Sequence, residues 1–250
     1  MPPRTTVIDF FYDIGSMYSY FALEALRRYC FGGHPQWNSV KLRLRPFLLG
    51  GVFKATGNQP PISVPARAPY LMKDIQRNAF YGDLKINMPP EFPSNTVKAM
   101  RLLTSVAMEG NEGKLMDASV AIFRAYWEKE ADIKDPKQLQ EALISLGGFA
   151  AQEAKRHTAR IDDSEVKNRL KEETQEAVER GAFGAPSIFV PASAFSPQVA
   201  AVAGVQSESP DEEKPPGEMF FGSDRLPVMA HMLGLPWEGP AGPRSLGARL

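Results

Sequence analysis

The sequence predicts an α/β protein in which one small β-sheet is divided along the chain by an all-helical insertion domain. Three observations lead to this fold class. The chain opens with a β–α–β pattern, continues with helical periodicity from Tyr70 to Arg180, and closes with a β–β–α pattern. Residues 1–62 and 185–250 should therefore form one domain, on which the insertion of residues 63–184 is seated.

Composition narrows the class of protein. The 250 residues carry 29 Lys and Arg against 29 Asp and Glu, so a net charge of zero gives no overall attraction to nucleic acid or to an anionic membrane. No apolar run reaches the roughly 20 residues of a membrane span, and we predict no secretory signal. Cys30 is the one cysteine, which excludes an internal disulfide and favours a reducing compartment. We expect it to be a small buried hydrophobe.

The opening β–α–β unit follows from local patterns. Val7 to Tyr12 is an apolar run typical of a buried strand, and Ser16 fits the N-cap of a helix whose apolar residues recur from Tyr18 to Tyr29. Val40 to Phe47 alternates apolar and basic residues, which indicates a half-buried strand. A strand, a crossover helix and a second strand predict a parallel pair with a right-handed connection.

The middle of the chain reads as helices. The stretch "NTVKAMRLLTSVAME" places apolar residues from Val97 to Ala107 on one stripe, and Pro136 opens a further helical segment. The segment "DDSEVKNRLKEETQEAVERG" begins at an acidic or serine cap and ends at Gly181. The insertion is therefore predicted to contain no strand.

The last part of the chain is predicted to add further strands to the sheet. A strand is predicted to start near Pro186, and a second one from Met219 to Phe221 leads into a helix capped by Ser223 or Asp224. Between them, residues 192–216 are polar, acidic and rich in proline. We expect them to form an exposed, partly disordered insertion loop.

The turn before the first helix raises a functional question. Many thioredoxin-type redox proteins carry a Cys-x-x-Cys pair at such a strand-to-helix junction, whereas this chain has Ser16-Met17-Tyr18-Ser19. A serine there has an ordinary role as a helix cap, but α/β folds also bind ligands at the carboxyl ends of their strands. Pro186 follows Gly184 and Ala185 and is either a strand-start proline or the cis-proline that faces the helix N-terminus in thioredoxin-like folds.

Five ordered segments make the chain resemble a kappa-class glutathione transferase over almost its whole length. They are "FYDIGSMYSYFALEALRRY", "LRPFLLGGVFKATGNQPP", "NTVKAMRLL", "GAFGAPSIFV" and "FFGSDRLPVMAHMLG". The resemblance implies a thioredoxin-like domain interrupted by a helical insertion, a homodimer, and glutathione as co-substrate. Without a cysteine pair the turn cannot cycle a disulfide, so the reactive thiol is expected to come from glutathione.

The resemblance also implies the site residues. Ser16 is the expected catalytic residue, because its hydroxyl and the amides of the next two residues would stabilise the glutathione thiolate. The glutathione-binding positions are Ser16, Met17, Tyr18, Asn58, Ala185, Pro186, Ser223 and Asp224. Ala185 would contribute backbone groups, and the 223–224 turn would hold the γ-glutamyl end.

Three functions remain open on the sequence. The leading one is a transferase that conjugates glutathione to small electrophiles, with possible reduction of organic hydroperoxides. The second is a glutathione-dependent isomerase of the 2-hydroxychromene-2-carboxylate type. The third is a non-catalytic glutathione-binding assembly factor. Product analysis separates the first two, and turnover that is unaffected by Ser16→Ala would favour the third.

Metal binding and location complete the expectations. His34, His157 and His231 have no acidic or cysteine partner at ligand spacing, so no metal site is predicted. The ending Ala248-Arg249-Leu250 is a relaxed form of the Ser-Lys-Leu address. It favours recognition by the peroxisomal import receptor, with a mitochondrial or cytoplasmic location as the alternative.

Overall fold

Four strands and ten α-helices follow one another in the computed structural model, which describes residues 5–205 and 217–242. In chain order they are β1 (Thr6–Tyr12), α1 (Met17–Cys30), β2 (Val40–Pro46), α2 (Leu49–Thr56), α3 (Ala68–Tyr81), α4 (Val97–Ala107), α5 (Glu112–Trp127), α6 (Pro136–Ser145), α7 (Ala151–Ala159), α8 (Ser164–Glu179), β3 (Ser187–Val190), α9 (Pro197–Ala203), β4 (Glu218–Phe221) and α10 (Leu226–Met232). Short 3₁₀ turns join several of them.

The strands form one mixed sheet in the order β2-β1-β3-β4. β1 pairs with β2 in parallel, with Thr6 opposite Val40, which confirms the β–α–β unit predicted from the sequence. β3 is antiparallel to both of its neighbours, β1 and β4. The first and last parts of the chain thus meet in the sheet, and α3 to α8 lie between β2 and β3 along the chain. The predicted fold class, a thioredoxin-like sheet interrupted by helices, is confirmed.

The two faces of the sheet bury different side chains, as the period of a strand requires. Ile8, Phe10 and Tyr12 of β1 belong to the large core that also includes α1 and most of the insertion helices. Phe11 belongs to a smaller core on the opposite face, together with side chains from β3, α2 and the end of α8. The carboxyl end of β1 therefore packs against hydrophobic side chains on both faces of the sheet.

Ion pairs seat α8 on the sheet. Arg45 of β2 pairs with Glu173 and Glu176 of α8, and Arg180 just after that helix pairs with Asp9 of β1 at 2.8 Å. Burial alone would raise the pKa of Asp9, but its hydrogen bonds and Coulomb attraction to Arg43 and Arg180 hold it below the ordinary value. These charges line a cavity of about 910 Å³ on this side of the molecule.

Two side chains tie the insertion to the end of β1. Trp127 of α5 donates its indole Nε1–H to the carbonyl of Ile14 at 2.8 Å, and the hydroxyls of Tyr12 and Ser119 share a hydrogen bond of 2.5 Å. Tyr12, Ile14 and Trp127 are fully buried. The turn after β1 is thereby fixed by the helical part of the chain as well as by the sheet.

The structure corrects the expected loop at 192–216. Residues 192–194 form a 3₁₀ turn and Pro197–Ala203 forms α9, because Ser196 caps the backbone N–H of Val199 and Gly204 ends the helix with a left-handed φ of 67°. Residues 206–216, to which the expectation of disorder also applied, lie outside the described residues.

The helix α2 was not anticipated either, whereas α7 lies within the Tyr70–Arg180 block predicted to be helical. The Ala248-Arg249-Leu250 ending lies outside the described ranges, so the targeting prediction stays a prediction. None of the described helices combines the length and the apolar character needed to cross a membrane.

Candidate active site

The turn between β1 and α1 forms the floor of the candidate site. Ser16 is the N-cap of α1, as predicted, with an extended backbone (φ −99°, ψ 109°). Its Oγ accepts a hydrogen bond from the backbone N–H of Ser19 at 3.1 Å. No acidic residue occupies the first turn of α1, so the helix N-terminus keeps its partial positive charge toward the site.

The same hydroxyl connects the turn before α1 to the loop before β3. Ser16 Oγ donates its proton to the carbonyl oxygen of Ala185 at 3.0 Å. Ser16 is 8% exposed, so this hydroxyl lies at the bottom of the site rather than on the surface. An anion bound near Ser16 would accept the hydrogen bond from this hydroxyl in place of the Ala185 carbonyl.

The loop from 181 to 186 brings Ala185 opposite Ser16. The Ala185–Pro186 peptide bond is cis, and the carbonyl of Pro186 accepts from the N–H of Gly222 at 3.0 Å. A side chain at Gly184 would displace the ring of Phe221, because an added Cβ would lie 2.7 Å from Cε2 of that ring. The backbone of this loop therefore passes directly against the Phe221 ring of β4.

Asn58 links two loops at the rim. Its Nδ2 donates to the carbonyl of Phe183 at 2.7 Å, and its Oδ1 accepts from the N–H of Gln59 at 2.8 Å. Gly57, with a left-handed φ of 74°, ends α2 and turns the chain toward this position. The exposed amide keeps one N–H that the bond to Phe183 does not use.

The structure corrects the predicted cap of the last helix. Ser223 and Asp224 lie in a 3₁₀ turn, Ser223–Arg225, so both come too early in the chain to cap α10. The N-cap position of α10 is Arg225, whose side chain caps no backbone N–H. The Asp224 carboxylate instead pairs with Arg225 at 2.8 Å, and both side chains are more than half exposed.

One cavity of about 930 Å³ collects nearly all of the predicted positions. Seven of the eight line it, namely Ser16, Met17, Tyr18, Asn58, Ala185, Ser223 and Asp224. Pro186 does not, although it joins two of the lining segments through its carbonyl. The opposite wall comes from the insertion: α3, the segment before it, and residues 92–97. The cavity therefore lies between the sheet and the insertion helices.

Asp13 is a cavity residue that the sequence reasoning missed. Its fully buried carboxylate accepts hydrogen bonds from the N–H of Gly15 and the N–H of Leu49, both at 2.8 Å, and from the hydroxyl of Thr96 at 3.1 Å. Burial raises its pKa to about 6, and the three hydrogen bonds only partly oppose that rise. Asp13 thus holds together the Ser16 turn and the starts of α2 and α4.

Tyr18 joins α1 to the insertion. Its hydroxyl donates to Oδ2 of Asp74 on α3 at 2.6 Å, and Asn78 donates to the same carboxylate oxygen at 3.1 Å. Burial, followed by the hydrogen bond to Asp74, raises the pKa of the Tyr18 hydroxyl above its ordinary value. Tyr18 therefore stays a protonated donor, and it lines the cavity beside Ser16.

Arg67 is a further cavity residue that the sequence reasoning missed. It lies at the N-cap position of α3, is exposed, and lines the cavity. Its guanidinium makes no ion pair with any residue in 5–205 or 217–242. A cation at this position suits a carboxylate ligand.

Only part of this could have been read from the sequence. An acid inside the apolar run "FFYDIGS", directly before the turn, was an available signal for Asp13. Arg67 and Asp74 carry no such local signal, because they reach the cavity only through the packing of α3 against α1.

Outside the cavity, the structure brings Glu109 and Glu153 to His157, with one ligand atom from each within 4.8 Å of the others. The sequence spacing had suggested no acidic partner for this histidine. Arg156 pairs with Glu109 at 2.7 Å and Lys114 with Glu153 at 3.2 Å, so both carboxylates already have cationic partners. We interpret the group as an ion-pair cluster that needs no metal, and the expectation of no metal site stays a prediction.

Comparisons with known proteins agree with this architecture. The family profile described as a DSBA-like thioredoxin domain matches residues 7–234. A rat protein named glutathione S-transferase kappa 1 is 34% identical over 255 residues, which cover all of this chain and all of that protein. A 2-hydroxychromene-2-carboxylate isomerase from Pseudomonas putida is 28% identical over 187 residues, covering 74% of this chain and 85% of the relative.

A solved structure supports the fold. The structure of a 2-hydroxychromene-2-carboxylate isomerase superposes with a TM-score of 0.68 at 20% identity, covering 91% of this chain and 94% of the other. At that identity the likeness speaks for the fold alone.

Proposed function

The chain belongs to the DSBA-like thioredoxin family and, within it, to the kappa-class glutathione transferases, and on that premise we propose that it binds glutathione with its sulfur beside Ser16. As a transferase of this class, it would pass the tripeptide thiolate to a small electrophile. The observation that carries the proposal is the Ser16 hydroxyl, which lies at the N-terminus of α1, in the cavity, and within hydrogen-bond distance of Ala185.

Magnitudes support a role for Ser16 as donor rather than nucleophile. A free thiol has a pKa near 8.5, and lowering it by about two units requires roughly 2.7 kcal/mol of differential stabilisation. A hydrogen bond to a charged group contributes about 1.5–3 kcal/mol. Ser16 must first release the Ala185 carbonyl, an ordinary hydrogen bond worth about 0.5–1.5 kcal/mol. The hydroxyl alone therefore falls short, and the helix N-terminus must supply about another 1 kcal/mol.

The remaining parts of the cavity suit the ends of glutathione. The free N–H of Asn58 and the backbone of Ala185 would bind the peptide groups of the tripeptide. The Arg67 guanidinium would bind a carboxylate. Asp224 would bind the ammonium group of the γ-glutamyl end, in competition with its own partner Arg225.

The second substrate would occupy the insertion side of the cavity. Apolar side chains of Leu71, Phe92 and Pro93 line that wall, together with the Tyr18–Asp74 hydrogen bond. In the conjugation the thiolate forms a C–S bond as the leaving group departs with the bonding electrons, and the thiol proton passes to solvent. With a hydroperoxide, the thiolate would take the distal oxygen to give an alcohol and a sulfenic acid, which a second glutathione reduces to disulfide and water.

The isomerase is a second candidate, favoured by the relative from Pseudomonas putida that carries that name. The same thiolate would add reversibly to a conjugated substrate and leave again after a bond rotation. Glutathione would then be recovered unchanged, whereas a transferase consumes one molecule for each product. Product analysis with glutathione and a chloronitrobenzene, beside a hydroxychromene carboxylate, distinguishes the two.

The proposal is tested by titrating the ultraviolet absorbance of the bound thiolate against pH. In Ser16→Ala the thiol pKa should rise by about one unit, because the lost hydrogen bond to the thiolate is partly offset by the bond to Ala185 that no longer has to be released. Ser19→Ala is the matched control, because the Ser19 Oγ is buried on the same turn and has no hydrogen-bond partner within residues 5–205 and 217–242. An unchanged thiol pKa in Ser16→Ala, with glutathione still bound, would refute the proposed role.

A further inference from the structure

The outer face of α3 carries a row of aromatic and basic side chains. The helix buries Leu71, Ile75 and Ala79 on its inner side. At 3.6 residues per turn the opposite side presents a set of five residues that we call the outer α3 face. They are Tyr70, Lys73, Arg77, Phe80 and Tyr81.

The aromatic rings of this face stand in solvent. Phe80 is 90% exposed, Tyr70 62% and Tyr81 60%, within a single helix of 14 residues. Three such rings on one side of one helix, alternating with basic side chains, form an amphipathic surface, unlike scattered exposed hydrophobics, which need no explanation. Val202 on α9 is as exposed as Phe80, at 91%, but no other exposed large hydrophobic residue lies on its helix.

The cations of the face lie between the rings and are unpaired. Lys73 and Arg77 make no ion pair with the residues of the two described ranges. Asp74, the one acid within α3, is turned toward the cavity and is held there by Tyr18 and Asn78. The outer α3 face is therefore locally positive, although the whole chain has no net charge.

We propose that the outer α3 face docks onto the surface of an anionic lipid bilayer. Exposed aromatic rings enter the headgroup region of a bilayer, while long basic side chains on the same face extend to lipid phosphates. A second copy of the chain fits less well, because a two-fold contact would set Lys73 and Arg77 against the same cations of the partner. The proposal goes beyond the transferase assignment and does not depend on it.

Docking in this orientation has a consequence for the cavity. Tyr70 belongs to the outer α3 face and also lines the cavity wall. The cavity mouth would therefore lie next to the bilayer, within reach of apolar compounds dissolved in it.

The test is cosedimentation of the full chain with vesicles of phosphatidylcholine, alone or mixed with phosphatidylserine. We expect binding only with phosphatidylserine, weakening as salt is raised. Phe80→Ser, and separately the double change Lys73→Glu with Arg77→Glu, should each reduce the bound fraction at least about tenfold at a limiting lipid concentration. These side chains are exposed, so the variants should fold normally.

Matched controls separate this face from general effects. Val202→Ser removes an equally exposed hydrophobic side chain. The double change Lys155→Glu with Lys171→Glu reverses two exposed lysines elsewhere that form no ion pair with a residue the structure describes. Both should bind vesicles like the wild type. The proposal is overturned if the wild type does not bind, or if the controls lose binding equally. It is also overturned if Phe80→Ser shifts the oligomeric state in gel filtration, which would mean that a second copy covers the face.

Discussion

The Ser16 hydroxyl donates to the carbonyl of Ala185 at 3.0 Å, across 169 residues of sequence. That bond joins the first helix turn of the chain to the loop that opens β3. It places a hydroxyl that can donate a hydrogen bond to an anion beside a backbone segment that can form hydrogen bonds with a peptide. The candidate site is therefore assembled by the return of the chain to the sheet after the helical insertion.

Arg67→Ala should weaken glutathione binding without changing the chemistry at sulfur. The guanidinium lines the cavity rim, and an exposed charge pair is worth up to about 1 kcal/mol. We expect the KM for glutathione to rise about two- to fivefold and to become less sensitive to salt, while the thiol pKa of the bound tripeptide stays unchanged. Arg77→Ala on the same helix is the control, since Arg77 does not line the cavity. Equal effects of the two changes would contradict the assignment.

Tyr18→Phe should destabilise the fold as well as alter the cavity wall. It removes the 2.6 Å hydrogen bond to Asp74 that crosses from α1 to α3, and leaves a half-buried carboxylate with Asn78 as its remaining side-chain partner. The expected loss is about 1–3 kcal/mol in the free energy of unfolding, measured by urea titration. Tyr70→Phe, at a ring that is mostly exposed, should change stability little. A similar loss in both variants would refute the importance of the Tyr18–Asp74 bond.

Asp13→Asn should flatten part of the pH dependence of stability. The folded-state pKa of Asp13, about 6, lies above its unfolded value near 3.8, so this group favours folding at low pH. Its contribution is complete below about pH 4 and is lost as the pH rises through about 6, at a total cost of about 3 kcal/mol. Urea titrations over that pH range should show the fall in the wild type and in Asp117→Asn, which changes an exposed acid. A fall that persists in Asp13→Asn would show that another group causes it.

Gly184→Ala should displace the ring of Phe221. An added Cβ would lie 2.7 Å from that ring, and overpacking of this kind costs about 1–3 kcal/mol. Because Gly184 precedes Ala185, glutathione affinity should fall together with stability. Combining the change with Phe221→Ala should recover affinity, since the obstructing ring is gone. Gly113→Ala serves as the control, because an added Cβ there would make only an ordinary contact, 3.4 Å from Oδ1 of Asn111, and Gly113 does not line the cavity. Calorimetric titration with glutathione gives the readout, and a Gly184→Ala protein that binds normally would contradict the close approach.

The sequence determined the elements whose signals are local. The apolar run before Ser16, the serine cap and the apolar stripe after it predicted β1, the turn and α1, because each depends on residues close together in the chain. A weak local signal explains why α2 was missed, because this helix contains Gly50 and Gly51. Tertiary contacts stabilised it where propensity did not predict a helix.

The tertiary structure alone decided what faces the Ser16 turn. Nothing near Asp74 or Arg67 in the sequence marks either as a cavity residue, and both reach the site because α3 packs against α1. The pKa of Asp13 likewise depends on burial beneath the starts of α2 and α4, which are distant in sequence. Local patterns specify hydrogen bonds within a few residues, whereas desolvation and contacts between distant segments exist only once the chain has folded.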